Sequence, residues 1–467
     1  MSVKLSSVVF LAVSVFSLVS CGGGGGTSSP ATGATTAPAS SSGTVQGFGS
    51  VVVNGCRWAT LGAEVHDDFG NPLGVSNLAM GMQVQIDGSV GTNGANCLAE
   101  DIEVAREFAG EISAVGTNQF TVLGQTVVVN SNTFYKGFAA ATFDQIAVGT
   151  FVEVYGLKAS DGSVLATLVE RKQSSADLTN GYEARGVVSN LNTSLRTFNL
   201  GSLLIDYSNL TTEPAGLAND VVVKVKGITL MGGTLQVDAV NVRNLRQIYA
   251  NSELEVKGFV EDDGGDQDVN TFTVAGFAVN VRDAKYDGLS GLTVGNFVEL
   301  EGTFVNQVLQ VREVETEESR DAARGGRYEF YGVATNGTFS NNVLAFDIHG
   351  QSVSFTQDVC GVSTGTPYVE VTGNLVDGVV QATKVECGRD DDDDGFENNS
   401  FELSGFVSEF DSSTTQFVLE GVKVRAASAK FVNGTVADLR NGREVELVGS
   451  MDANQEFLIA SEVDFED

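Results

Sequence analysis

The segment Phe297-Val-Glu-Leu-Glu-Gly302 sets apolar side chains at alternate positions and closes on a glycine. The same construction ends at Gly88 (Met82-Gln-Val-Gln-Ile-Asp-Gly88), Gly156 (Phe151-Val-Glu-Val-Tyr-Gly156) and Gly227 (Val222-Val-Lys-Val-Lys-Gly227). It returns at Gly373 (Tyr368-Val-Glu-Val-Thr-Gly373) and Gly449 (Glu444-Val-Glu-Leu-Val-Gly449). The intervals between closing glycines are 68, 71, 75, 71 and 76 residues. Period-two alternation places Val298 and Leu300, like Val152 and Val154, on one face of a half-buried strand. Recurrence at a fixed spacing means one folding unit repeated six times.

Two further signals recur upstream of each closing segment. A glycine stands early in each unit, at Gly47, Gly110, Gly186, Gly258, Gly332 and Gly405. A hairpin cue follows as Phe120-Thr-Val-Leu-Gly124, Phe272-Thr-Val-Ala-Gly276, Phe346-Asp-Ile-His-Gly350 and Phe417-Val-Leu-Glu-Gly421, shortened to Phe198-Asn-Leu-Gly201 in the third unit. The first unit departs furthest, with Val51-Val-Val-Asn54-Gly55, although Asn-Gly between apolar runs is itself a strong hairpin signal. Each unit therefore predicts five short strands: a three-strand meander, a connection with room for a helical turn such as Phe138–Phe143, and a final hairpin. The expected class is all-β, with six tandem small five-stranded antiparallel barrels, OB-like or related, as beads on a string after a lipidated flexible tether. Closure removes strand edges that would otherwise pair between molecules.

The first unit, from Gly43-Thr-Val-Gln-Gly-Phe-Gly-Ser through Trp58 to Gly88, resembles the domain of unknown function 5666 family, and the later units share its glycine framework more loosely. That family occurs in tandem in secreted bacterial proteins and lipoproteins, and the resemblance implies no catalytic residues.

The N-terminus reads as an address. Lys4 precedes an apolar run from Val8 to Val19, and Leu18-Val19-Ser20-Cys21 resembles the lipobox of bacterial lipoproteins. The resemblance implies cleavage after Ser20 and attachment of Cys21 to diacylglycerol and fatty chains such as palmitate. Gly22, rather than an inner-membrane retention Asp, points to the cell outer membrane, facing the periplasm or the cell surface. Gly22–Ser42 contains no large apolar side chain and predicts a flexible tether. The expected organisation is 1–20 signal, 21–42 tether, barrels at 43–106, 107–172, 181–246, 251–316 and 326–388, an acidic linker at 389–399, and a sixth barrel at 400–467.

The 467 residues include 27 Lys and Arg against 60 Asp and Glu, a formal charge of −33. Such a field repels phosphate backbones and excludes nucleic acid as a partner. With two His, His66 and His349, a polyhistidine metal centre is excluded. Beyond Cys21, the cysteines fall in pairs within units, Cys56 with Cys97 and Cys360 with Cys387, spaced by 41 and 27 residues; export to an oxidising compartment predicts two disulfides.

Asp390, Asp392 and Asp394, followed by Gly395, resemble the first half of a Ca²⁺ loop, but the twelfth position is Phe401 rather than a bidentate Glu, and a solvated spacer is the simpler account. Asp262, Asp263, Asp266 and Asp268 form a second acidic turn, while Thr316–Arg327 reads as a linker. Trp58, the single Trp, fits a core position, with a sugar platform as the alternative. No nucleophile elbow, phosphate loop or zinc motif is present. The function expected is a non-enzymatic binding or spacer protein, without cofactor unless Ca²⁺, in an extended rod of modules. Its ligand is polysaccharide, an envelope protein or a divalent cation, and its oligomeric state is open. The alternative is an envelope hydrolase using carboxylates of one specialised unit.

Overall fold

A computed structural model describes residues 37–48, 51–60, 62–90, 96–140, 142–242, 252–262, 270–316, 328–348, 351–376, 378–386, 400–419, 422–452 and 457–465. The predicted signal, most of the tether, Cys21, His349, Cys387, the aspartates Asp390, Asp392 and Asp394, and most of both predicted linkers lie outside the described residues.

In the second barrel the strands are Phe108–Gly116, Gln119–Val122, Gln125–Val128, Phe151–Lys158 and Val164–Lys172. The first pairs antiparallel with the second and with the fourth, the second with the third, and the fourth with the fifth. The third and fifth run parallel and close the ring, in the order 1-2-3-5-4-1. The third-with-fifth parallel closure recurs as Trp58 with Cys97, Ile205 with Leu235, Val279 with Leu309, Val353 with Val380 and Val424 with Leu458. The expected small five-stranded barrels in tandem are thus the fold, with the closing pair parallel instead of antiparallel. Short 3-10 turns at Val75–Asn77, Phe143–Gln145 and Val436–Asp438 occupy the third-to-fourth connection.

The closing glycines have a steric reason. Each stands where the fourth strand meets the fifth, and register shifts fall there at Asp87/Gly88, Tyr155/Gly156, Glu301/Gly302, Thr372/Gly373 and Val448/Gly449. A Cβ on Gly88 would lie 2.0 Å from the Leu98 carbonyl oxygen, on Gly156 2.4 Å from that of Leu165, and on Gly227 2.1 Å from that of Gln236. At Gly302, Gly373 and Gly449 the corresponding approaches are 2.2, 2.5 and 2.5 Å, to Gln310, Gln381 and Ile459. A bulge tightens the strand bend, and only hydrogen fits between the backbones. The hairpin cue acts differently. Asn54-Gly55, Leu123-Gly124 and Ala275-Gly276 all take positive φ at both turn positions, the geometry that matches strand twist in two-residue hairpins.

The first barrel begins before its expected boundary at 43, since Ala37–Thr44 is already strand and pairs with Gln83–Val90. Ser40 and Ser41 are buried there, 3% and 2% exposed, so residues 37–42 belong to the barrel and not to the tether. Small hydroxyls had suggested linker, but a strand needs only backbone hydrogen bonds and side chains that fit beneath its neighbour.

The barrels also join one another. Ala39–Ser42 pairs in parallel with Glu253–Val256 of the fourth barrel, and Gly47–Phe48 with Glu329–Phe330 of the fifth. Phe108–Ala109 pairs antiparallel with Glu183–Ala184 of the third. In each case a first strand outruns its own partner strand, and the exposed half-edge is covered by the first strand of another barrel, which answers the edge hazard. Packing follows the same joins. Phe108, Ile112 and Val154 of the second barrel share an apolar cluster with Phe198, Ile205 and Tyr207 of the third. Trp58 and Ile86 of the first share another with Leu344, Phe346 and Val369 of the fifth. Residues 36–467 form one compact unit, so the extended rod is replaced by clustering about the first barrel.

Candidate functional site

Of the predicted site residues, Cys56 and Cys97 form a disulfide across the third and fifth strands of the first barrel. Cys360 is also disulfide-bonded. His66 sits on Glu64–Asp67, with Nε2 3.0 Å from the Asp101 carboxylate and Nδ1 2.8 Å from the Asp67 carbonyl. Burial opposes its charge, but the Asp67 carbonyl and Asp101 outweigh that and raise its pKa above 6.5. Among the described residues, no group of three or more His, Cys, Asp or Glu is arranged to hold a metal ion.

A feature with no counterpart in the sequence reading lies where the first three barrels meet. Arg106 extends from the link between barrels one and two, and its Nη1 donates to Glu183 Oε1 at 2.8 Å. Its Nε lies 3.3 Å from Glu153 Oε2 and from the Tyr155 hydroxyl. Lys224 Nζ reaches Glu183 Oε2 at 2.9 Å and donates to the Arg106 carbonyl. Arg185 Nη2 donates to Asp68 Oδ2 at 2.6 Å, and Lys172 Nζ lies 3.1 Å from Glu153. Asn180 ties Glu183 to Asp67, donating to each at 2.6 Å. Arg106, Glu153, Glu183 and Lys224 are each no more than 3% exposed. Desolvation raises the Glu183 pKa, but the charges of Lys224 and Arg106 overcome it and hold the carboxyl below its ordinary value. Burial drives the Tyr155 hydroxyl well above the ordinary range, so it stays protonated.

These charges were missed because Glu153 and Lys224 occupy the outward position between Val152 and Val154, and between Val223 and Val225. A lone barrel would leave that position in water. One signal was available: the equivalent residues are Gln85, Glu153, Lys224, Glu299, Glu370 and Glu446, and Lys224 is the single cation among them. These side chains pair with one another across the join between the barrels.

A cleft of about 290 Å³ opens at the mouth of the first barrel against the fourth. One wall holds Trp58, Val90 and the Cys56–Cys97 disulfide; the other holds Glu253, Glu255, Glu301 and Arg312. Arg312 bridges Glu253 at 2.8 Å and Glu301 at 3.4 Å. Trp58 is 1% exposed, which makes it a core residue as expected, and its indole N–H has no hydrogen-bond partner among the described residues. Asn54 donates to the Ser41 hydroxyl at 3.0 Å and the Ser42 carbonyl at 3.1 Å beside it.

The architecture defines a multi-barrel β protein with a buried ionic junction and a cleft between the first and fourth barrels. Residues 109–170 and 404–464 match the family model described as Domain of unknown function (DUF5666). These are the second and sixth barrels, not the first, whose sequence carries the resemblance described above. No curated protein matches the chain. Among solved structures, the chain is similar to Drosophila Unr CSD456, at 10% identity over 45% of this chain and 96% of that one, with a TM-score of 0.13.

Proposed function

We propose that the chain is a lipid-anchored cell-envelope protein, held at the outer membrane through Cys21, whose six barrels are all copies of the matched family and act together as a non-enzymatic binding assembly. The observation that carries this reading is the buried junction of Arg106, Glu153, Glu183 and Lys224. A string of spacers needs no contact between modules, whereas desolvated charges shared by three barrels fix their relative placement at a cost that only a defined assembly recovers. A fixed assembly presents composite surfaces, and a lipid anchor holds them at the membrane.

Fractionation of cells labelled with a fatty acid tests the anchor. The wild-type chain is expected in the membrane fraction with label, and Cys21→Ser in the soluble fraction without it; an unlabelled, soluble wild-type chain would refute anchoring. Deletion of residues 107–172 tests the assembly. A spacer tolerates loss of one module, but here the deletion removes Glu153 and bares Glu183 and Lys224, so the remaining barrels are expected to become protease-sensitive.

A further inference from the structure

We propose that the edge strand of the third barrel, Thr229–Met231, is where a second copy of this chain docks, the two edge strands pairing antiparallel about a two-fold axis into a weak dimer. Such a dimer requires neither the lipid anchor nor a binding role.

A barrel closes fully only where its first strand covers the whole edge of its fourth. In the first barrel Ala37 reaches Val90, and in the fourth Glu253 reaches Thr303. The first strand of the third barrel starts at Tyr182, opposite Gly227, so the fourth runs on past it as Thr229–Met231. That run pairs with Thr234–Gln236 on one side, and among the described residues no strand lies on the other. The turn between them, Gly232-Gly233, has positive φ at both positions. A two-residue turn of this kind directs the N–H and C=O of Met231 and Thr229 at the partner strand, and those of Leu230 and Ile228 to the open side. What fits there is an extended backbone.

The side chains are those of a covered strand. Ile228 is 77% exposed and Met231 73%, and no charged residue stands between Ile228 and Val237. Edges that remain in water are blunted by charge or proline, and the corresponding runs of the second and fifth barrels end at Lys158 and Asp377. Two observations assign the cover to a second copy. The chain already covers other half-edges with strands of its own kind, Ala39–Ser42 with Glu253–Val256 and Gly47–Phe48 with Glu329–Phe330. Charge also selects this barrel: residues 181–246 hold six Lys and Arg against five Asp and Glu, whereas each of the other five barrel segments is net negative. Two chains of charge −33 therefore repel one another least through the third barrel. The edge is self-complementary as well. With Leu230 opposite its symmetry mate, the two Leu230 backbones exchange both hydrogen bonds and Thr229 faces Met231. Ile228 then faces Gly232, around which there is open space for its side chain.

Sedimentation of the full chain from low to high micromolar concentration is expected to show a monomer–dimer equilibrium that tightens as salt screens the remaining charge. Hydrogen exchange at the Leu230 amide should slow as protein concentration rises. Met231→Lys and, separately, Ile228→Lys place a charge on the edge at exposed positions, and each is expected to weaken dimerisation about tenfold or more. The thermal transition followed by circular dichroism should stay in place in both variants, so that a lost dimer is not a lost fold. A wild-type chain that stays monomeric throughout the range at high salt would overturn the proposal. So would a dimer that both lysine variants keep, or one in which the Leu230 amide exchanges as fast as in the monomer, since either result places the interface elsewhere.

Discussion

Replacing Gly88 by Ala tests the steric account of the repeat. The new Cβ would stand 2.0 Å from the Leu98 carbonyl oxygen, 3.0 Å from its carbon and 3.1 Å from the Ala99 Cα. All three are backbone atoms of the fifth strand, so no side-chain rotation relieves the contact. The fourth and fifth strands must separate at the bulge that joins them, loosening the ladder from Asp87 to Ala99. Overpacking of this kind costs about 1–3 kcal/mol. With a urea slope of about 2 kcal/mol/M, a loss of about 2 kcal/mol lowers the midpoint by about 1 M. The assay is Trp58 fluorescence, which reports the apolar cluster that the first barrel shares with the fifth, because the chain has one Trp and it lies there. Gly291→Ala is the control, followed by circular dichroism, since nothing lies within 4 Å of the added methyl and its φ is not left-handed. There the change is expected to be neutral or to stabilise by about 0.4–1 kcal/mol through the unfolded chain. If Gly88→Ala leaves the midpoint where the wild type has it, close backbone approach is not why the glycine recurs.

Lys224→Met should destabilise barrels two and three by about 3–5 kcal/mol, the cost of leaving Glu183 with one buried counter-charge fewer, read as an earlier thermal transition; an unchanged transition would remove the junction's structural role. Acid should act at the same place. The folded pKa of Glu183 is below its unfolded value near 4.5, so its stabilisation is complete above about pH 4.5 and is lost as pH falls through the lower, folded value. His66 runs the opposite way, because its folded pKa lies above 6.5: its contribution is present below 6.5 and disappears as pH rises through the folded value. Of the two His resonances expected in the proton spectrum, one should titrate above 6.5, and Asp101→Asn should lower it. Reduction of the Cys56–Cys97 disulfide, which spans 41 residues, should cost about 4 kcal/mol on the chain-entropy model, lowering the midpoint seen by Trp58. An equal midpoint with and without reductant would refute that expectation.

What the sequence determined by itself is the module. Alternation fixes which face of a strand is buried, Asn54-Gly55 fixes a hairpin, and the glycine at 88, 156, 227, 302, 373 and 449 marks a contact made within each barrel between strands a few residues apart. Such signals are local, and a local pattern is readable from a chain. What the tertiary structure decided is everything that depends on which barrels touch. Glu153 and Lys224 look like solvent-facing residues until a second barrel covers them, and Ser40 and Ser41 look like linker until the first strand finds both of its neighbours. The cleft is likewise built from residues nearly two hundred positions apart, Trp58 on one wall and Glu253 on the other. No spacing along the chain encodes that meeting, because it follows from how unpaired half-edges and desolvated charges of separate barrels find partners in space.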